Sequence, residues 1–226
     1  MAERNLPGGE MSSRILDFFW IADCSGSMDG EKIQTLNYAI RQTIPDMRKE
    51  ADDNPNASIM VRAIKFSDGA QWHLPDATPI DNFNWTDLVA GGVTSMGMAL
   101  ELVAQELSNF PTQTKRLPPV LVLLTDGQPT DDFKKGLDQL MSIPWGKKAV
   151  RIAIAIGKDV DITVLEQFTG NKELVLEAKN PQLLVKFIKW ASTVVKNVSS
   201  PIAGDSFGGL DVNAIPTVSP DDDDIW

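Results

Sequence analysis

Short apolar runs alternate along the chain with segments in which apolar residues recur every three or four positions. Residues 15–22 and 120–125 are almost uninterrupted apolar runs, which is the pattern of a strand covered on both faces. Residues 31–50 instead have the spacing of an amphipathic helix. Its apolar face comprises Ile33, Leu36, Ile40, Ile44 and Met47.

The remaining segments continue this alternation. Further strands are predicted at residues 58–66, 69–74, 149–156 and 173–176, and further helices at 95–108, 131–142, 162–168 and 181–198. Ser67-Asp68-Gly69 joins two of these strands so tightly that they must be antiparallel. We therefore expect a doubly wound α/β fold, with a mostly parallel sheet, one antiparallel edge strand, and helices on both faces.

The alternating pattern is confined to the middle of the chain. Residues 1–13 are predicted to be a polar N-terminal arm, residues 14–198 a single α/β domain, and residues 199–226 an acidic, largely extended C-terminal tail. The tail is rich in Gly, Pro, Ser and Asp, which favours disorder. Its spaced apolar residues also suit docking along a surface, and the sequence leaves both possibilities open.

Charge and cysteine content restrict the class of partner and the compartment. The net charge is −10, and without the six acids of the tail 25 acids face 21 bases, a net −4. Because phosphate binding needs a basic surface, we do not expect a nucleic-acid partner. Cys24 is the single cysteine, and no apolar stretch is long enough for membrane insertion. These features favour a cytoplasmic protein.

Oxygen-bearing side chains follow the predicted strands at one edge of the sheet. Asp23, Ser25 and Ser27 come directly after the first strand, Asp126 follows residues 120–125, and Thr94 follows a pair of glycines. Ligands bind beyond the carboxyl ends of parallel strands. Two carboxylates with three hydroxyls suit Mg²⁺, with Mn²⁺ or Ca²⁺ as alternatives, whereas zinc prefers His and Cys. Taken singly, each residue is also explained as a turn or a helix cap.

Three motifs in this order resemble the metal-ion-dependent adhesion site of von Willebrand factor A domains. They are Asp23-Cys24-Ser25-Gly26-Ser27-Met28, Gly92-Val93-Thr94 and Leu124-Thr125-Asp126-Gly127. The resemblance covers about residues 14–198. It implies Ser25, Ser27 and Thr94 as direct or near-direct metal ligands, with Asp23 and Asp126 acting directly or through water. It also implies an open coordination position that an Asp or Glu of a protein partner fills.

Within that family the sequence resembles the bacterial TerY-type proteins of tellurite-resistance and related stress operons. The resemblance rests on residues 123–131 and 187–192. It implies partnership with a Ser/Thr protein kinase and a PP2C-type phosphatase, for which Thr217 and Ser219 are candidate phosphoacceptors. The acids of the tail are also candidates for self-association, by reaching the metal of a neighbouring molecule.

The residue set favours recognition over catalysis. No base or nucleophile accompanies the predicted metal site, so we assign no catalytic residues and do not expect an enzyme. A metal-dependent phosphohydrolase and a structural subunit of a larger assembly are the alternatives. Cys24 could be a redox sensor beside the metal or a small buried residue. Trp85 and Trp145 lie in predicted loops and could be core residues or interface anchors.

Overall fold

A central sheet with helices on both faces forms the domain. The computed structural model describes residues 14–54, 57–111, 115–158, 160–199 and 214–217. The strands of this part of the chain are β1 Arg14–Asp23, β2 Ala57–Phe66, β3 Ala70–Trp72, β4 Thr78–Pro79, β5 Val120–Thr125, β6 Val150–Ile156 and β7 Val175–Ala178. Its helices are α1 Glu31–Asp53, α2 Met96–Ser108, α3 Phe133–Ser142, α4 Pro144–Lys148, α5 Ile162–Thr169 and α6 Pro181–Ser199.

The strand order is that of a doubly wound sheet. The strands lie in the order β3-β2-β1-β5-β6-β7. The pairs β1–β2, β1–β5, β5–β6 and β6–β7 are parallel, and β3 pairs with β2 in the antiparallel sense. The predicted fold class is therefore confirmed, including the antiparallel edge strand.

Two short elements have no counterpart in the sequence prediction. The two-residue strand β4 also pairs antiparallel with β2, and α4 forms where a loop was expected. Neither is long enough to show a hydrophobic period, which is why the pattern did not indicate them. The last strand, β7, begins at Val175 because residues 172–174 form a 3₁₀ turn.

Strand β1 separates two apolar cores. Phe18 and Trp20 pack in the cluster that includes α1 and α6, whereas Phe19 and Ile21 pack in the cluster beneath α2, α3 and α5. Because successive side chains of a strand point to opposite faces, a strand covered on both faces needs apolar residues at consecutive positions. This explains the apolar run of β1 at residues 18–22.

The two tryptophans placed in loops by the sequence belong to the folded body. Trp85 is buried, and its Nε1 donates a 2.9 Å hydrogen bond to Asn37 Oδ1. Trp145 lies in α4, partly buried, with its ring edge-to-face against Phe110 at a centroid distance of 6.3 Å. Both observations favour packing roles over exposed interface anchors.

Among the described residues, no helix is long and apolar enough to cross a bilayer.

The predicted arm, residues 1–13, and the tail apart from residues 214–217 lie outside the described residues, so the domain boundaries stay predictions. Of that short tail segment, Ile215 packs against the core cluster that contains α1 and α6.

Candidate metal centre

The five predicted site residues gather at the carboxyl edge of the parallel strands. The β1–β5 register pairs Ala22 with Leu124, so Asp23 stands beside Thr125 where the two strands end. Asp126 follows directly, and both acids are buried. The arrangement follows from parallel pairing, which brings the carboxyl ends of neighbouring strands to one edge.

Asp23 is held in a fixed orientation by bonds to both of its oxygens. Oδ1 accepts a 2.8 Å hydrogen bond from Ser25 N, and Oδ2 accepts a 2.5 Å bond from Thr125 Oγ1. Burial raises the pKa of the Asp23 carboxyl above its ordinary value; the hydrogen bonds from Ser25 and Thr125 oppose this shift, and the charge of Asp126 adds to it. A bound cation would stabilise the charged form of such a carboxylate.

Two serine hydroxyls link the first loop to Asp126. Ser25 Oγ lies 3.1 Å from Ser27 Oγ, and Ser27 Oγ donates a 2.7 Å hydrogen bond to Asp126 Oδ1. Ser25 is buried, whereas Ser27 is exposed. The row of oxygens therefore runs from the interior of the domain to its surface.

Lys32 completes the hydrogen bonding of Asp126 and was not assigned a role from the sequence. Its Nζ lies 2.6 Å from Asp126 Oδ2, with the side chains 21% and 0% exposed respectively. Lys32 is the second residue of α1, the helix that follows the serine loop. A lysine in the first turn of a helix is common at surfaces, so its spacing alone gave no signal.

Thr94 is brought to the same place by backbone bonds between two loops. Gly91 N donates to Cys24 O and Gly26 N donates to Gly92 O, both at 2.9 Å. A Cβ placed on Gly127 would lie 3.5 Å from Thr94 Oγ1 and 3.8 Å from Ser27 Oγ. The two hydroxyls therefore converge beside Gly127.

Asp68 and Asp131, two acids outside the predicted set, accept hydrogen bonds from backbone amides on either side of Thr94. Val93 N donates a 3.0 Å bond to Asp68 Oδ1. Asp131 accepts from Gly97 N at 2.9 Å and Met98 N at 2.8 Å, and so caps the start of α2. Both carboxylates accept bonds from backbone amides, so their role is to position the loop that carries Thr94.

Asn37 anchors the segment that leads to the Thr94 loop by hydrogen bonds from inside the domain. It is a buried residue of α1. Besides accepting from Trp85, its Oδ1 accepts from Leu88 N at 2.8 Å, and its Nδ2 donates to Leu88 O at 2.9 Å. The irregular segment that leads to Thr94 is thereby fixed to the helix that follows the serine loop.

The surroundings of Cys24 favour the packing role over the redox role. The side chain is buried, and Sγ donates to Phe66 O at 3.4 Å. Burial raises the pKa of the Cys24 thiol, with a hydrogen bond to Ser67 opposing the shift and the charge of Asp23 adding to it. A thiolate is the reactive form, so this environment lowers reactivity.

The donor set fits a hard divalent cation. It offers two carboxylates and three hydroxyls, and oxygen ligands of this kind suit Mg²⁺, Mn²⁺ or Ca²⁺. No three His, Cys, Asp or Glu side chains gather in a metal-binding arrangement within the described residues. Such an arrangement would be rich in carboxylate, imidazole or thiolate, whereas hydroxyls make up most of this site.

Of the two candidate phosphoacceptors, the described residues include only Thr217. Thr217 is exposed and ends the short described tail segment. Ser219 and the six acids of the tail lie outside the described residues. The structure therefore offers no geometry for the predicted contact between the tail and a metal.

Comparisons with known proteins agree with the architecture. Human inter-alpha-trypsin inhibitor heavy chain H4 is 31% identical over 121 residues, covering 49% of this chain and 12% of that protein. A von Willebrand factor type A protein from Catenulispora acidiphila superposes with a TM-score of 0.58 at 17% identity, covering 82% of this chain and 43% of that one. Proximal thread matrix protein 1 from the mussel byssus, in a structure with a zinc-occupied metal-ion-dependent adhesion site, gives a TM-score of 0.58 at 18% identity, covering 83% and 47%.

This chain thus spans less than half the length of these similar proteins. The model of one family matches most of the sequence, from residue 17 to residue 190. The order of the strands agrees with that match. The chain belongs to the von Willebrand factor type A domain family.

Proposed function

We propose that this domain binds a protein partner through one divalent metal ion held by five side chains. The ligands are Asp23, Ser25, Ser27, Thr94 and Asp126, and the expected ion is Mg²⁺, with Mn²⁺ or Ca²⁺ as alternatives. The observation that carries the proposal is the row of oxygens from Ser25 Oγ through Ser27 Oγ to Asp126 Oδ1, with steps of 3.1 and 2.7 Å. Such spacing lets several oxygens contact one cation.

The metal would supply a Lewis-acid position for an Asp or Glu of the partner. The chain's own side chains contribute orientation. Asp23 is fixed by Ser25 N and Thr125 Oγ1, and the exposure of Ser27 leaves an approach from solvent. Support also comes from the family, whose domains act as interaction modules bearing a metal site, and from the zinc-occupied site of the mussel protein.

Exposed apolar side chains near the site favour a protein as the partner. Val89 and Val93 are 85% and 50% exposed, and Met98, at the start of α2, is 48% exposed. The two valines flank the glycines that bond to the serine loop. Exposed apolar residues around a charged centre suit a partner whose acidic residue has apolar neighbours.

The contacts around the site favour recognition over catalysis. A phosphohydrolase would need a nucleophile and an acid–base partner. Both oxygens of Asp23 are engaged by hydrogen bonds. The Nε2 of His73, the only histidine of the sequence, donates to Thr86 O at 2.7 Å. We therefore propose that the domain is not an enzyme.

The biological setting follows from the resemblance to TerY-type proteins. We propose a cytoplasmic, bacterial stress-response or tellurite-resistance role beside a Ser/Thr kinase and a PP2C-type phosphatase. Thr217 and Ser219 are the proposed phosphoacceptors. The acidic tail is a second candidate source of the carboxylate that meets the metal, which would give self-association of the chain.

Metal-dependent capture of a partner tests the proposal. The full chain is immobilised and incubated with lysate in Mg²⁺, in EDTA, and in EDTA followed by excess Mg²⁺. We expect a partner that is lost with EDTA, regained with Mg²⁺, and absent for Ser25→Ala/Ser27→Ala. Ser108→Ala is the matched control, because Ser108 Oγ donates only to Gln105 O within α2.

Two other results would redirect the assignment. A partner retained equally in EDTA and by the double variant would contradict metal-dependent binding and favour a structural subunit. Turnover of phosphoesters that requires Mg²⁺ and is lost in Asp23→Ala would favour a phosphohydrolase.

A further inference from the structure

The ammonium group of Lys32 and the proposed metal share one carboxylate. Lys32 Nζ contacts Oδ2 of Asp126 at 2.6 Å, while Oδ1 of the same carboxylate accepts from Ser27 Oγ at 2.7 Å. The Asp126 side chain is fully buried, and that of Lys32 is 21% exposed. This ion pair is therefore shielded from solvent more than an ordinary surface pair, and salt screens it less.

Lys32 changes the charge of the proposed ligand set. Asp23 and Asp126 contribute two negative charges, and the Lys32 ammonium contributes one positive charge. Among the described residues, the ion pair with Lys32 is the one salt bridge that involves a proposed ligand. The three side chains together therefore carry a net charge of about −1.

We propose that Lys32 sets the electrophilicity of the metal: it weakens the binding of the cation and strengthens the capture of a carboxylate. This inference rests on the proposed metal-dependent function. A divalent ion in a set of charge −2 leaves a neutral centre, whereas the same ion in a set of charge −1 leaves a positive one. The positive centre attracts a partner's Asp or Glu.

The two effects have opposite signs because they arise from one charge. The ammonium repels the metal, since both cations contact the same buried carboxylate, and this repulsion lowers metal affinity. The same ammonium adds to the attraction that an incoming carboxylate feels. A lysine that only orients Asp126 would behave differently, because its loss would weaken both binding steps together.

Lys32→Met tests the proposal, since methionine keeps an unbranched side chain and removes the charge. Mn²⁺ affinity of the full chain is measured by the EPR signal of free Mn²⁺. Carboxylate capture is measured by titrating the Mn²⁺-loaded protein with acetate and following relaxation of the acetate methyl protons by NMR. Lys32→Gln is a second variant, in case methionine impairs folding.

Lys32→Arg keeps the positive charge, and Lys134→Met removes an exposed lysine paired with Asp138 at 2.8 Å. These two variants are the matched controls. For Lys32→Met and Lys32→Gln we expect Mn²⁺ to bind about tenfold more tightly and acetate several-fold more weakly than in the unaltered chain. Both controls should stay within about twofold of it.

The outcomes separate this inference from the proposed function. Weaker or unchanged Mn²⁺ binding in both neutral variants, or tighter acetate binding, would overturn the role of Lys32 while leaving the metal site in place. An unaltered chain that binds no Mn²⁺ would overturn both.

Discussion

Ser27 and Asp126 are joined by a 2.7 Å hydrogen bond although 99 residues separate them along the chain. The contact exists because β1 and β5 are parallel neighbours and each is followed by a loop at the same edge. It ties the serine loop to the acid after β5, so that neither loop can move without disturbing the other. The loop that carries Thr94 is then bonded to the serine loop through Gly92.

Gly92→Ala should destabilise the domain and weaken metal binding. Gly92 has φ of +81°, and an added Cβ would lie 2.5 Å from Asp68 Oδ1. We expect a loss of about 1–3 kcal/mol in the free energy of unfolding, measured by urea denaturation. Because Gly92 O accepts from Gly26 N, metal affinity should fall as well.

Gly30→Ala is the control for the backbone contribution to this loss. Gly30 has a similar φ of +83°, but nothing lies within 4 Å of an added Cβ. Gly30→Ala should therefore lower the free energy of unfolding by less than Gly92→Ala does. Adding Asp68→Ala to Gly92→Ala should restore part of the lost stability. Equal losses for the two glycine variants, with no restoration, would show that contact with Asp68 is not the cause.

Asn37→Ala should weaken metal binding from a distance. The variant leaves Trp85 Nε1 and Leu88 N without their shared acceptor, and Leu88 O without its donor. Unpaired buried polar groups cost about 1–3 kcal/mol each, so we expect the loss of these three partners to lower the free energy of unfolding by about 3 kcal/mol or more. The loosened segment should also lower metal affinity, as calorimetric titration would record.

Asn84→Ala is the matched control, because Asn84 is exposed and its Nδ2 donates only to Asn82 O at 3.3 Å. It should change stability by less than about 0.5 kcal/mol. Metal affinity unaltered in a folded Asn37→Ala variant would contradict the positioning role given to Asn37.

His73 should make the domain less stable as the pH drops below about 6.5, the pKa of histidine in the unfolded chain. Burial lowers the pKa of His73 below its ordinary value, with the bond to Thr86 opposing the shift and Lys65 adding to it. The unfolded chain then takes up a proton more readily than the folded chain. Stability is full above the unfolded pKa of about 6.5 and falls as pH drops through it toward the lower folded pKa.

Since His73 is the only histidine, the variant His73→Gln isolates its effect. Glutamine retains an amide donor for Thr86 O. The loss of stability on lowering the pH should therefore be smaller in His73→Gln than in the unaltered chain, as followed by thermal unfolding. The same pH dependence in both proteins would show that another group is responsible.

The sequence indicated those parts of the fold that depend on a regular period. The apolar runs of β1 and β5 and the spacing of α1 are local patterns, so they could be read without knowledge of tertiary contacts. The positions of Asp23, Ser25, Ser27 and Asp126 could be inferred because parallel strands end at one edge, whereas Thr94 was indicated by its Gly-Gly-Val-Thr motif. The order of the motifs along the chain then brought the five site residues into one prediction.

The supporting residues could not be predicted in the same way. Lys32 occupies an ordinary surface position of an amphipathic helix, and only the fold places it against Asp126. Asn37 is a polar residue on the buried face of α1, where its partners come from an irregular segment 48 and 51 residues away. Contacts of this kind have no period and no local motif, so they appear only with tertiary structure.

Direct metal binding tests the central claim most closely. Calorimetric titration of the full chain with Mg²⁺ and Mn²⁺ is compared with Asp23→Asn, Ser27→Ala and the control Ser108→Ala, with folding checked by circular dichroism. We predict one ion per chain for the unaltered protein and Ser108→Ala, and at least about tenfold weaker binding for the two site variants. Equal affinity in all four proteins, or no binding by the unaltered chain, would contradict the assignment of this oxygen cluster as a metal centre.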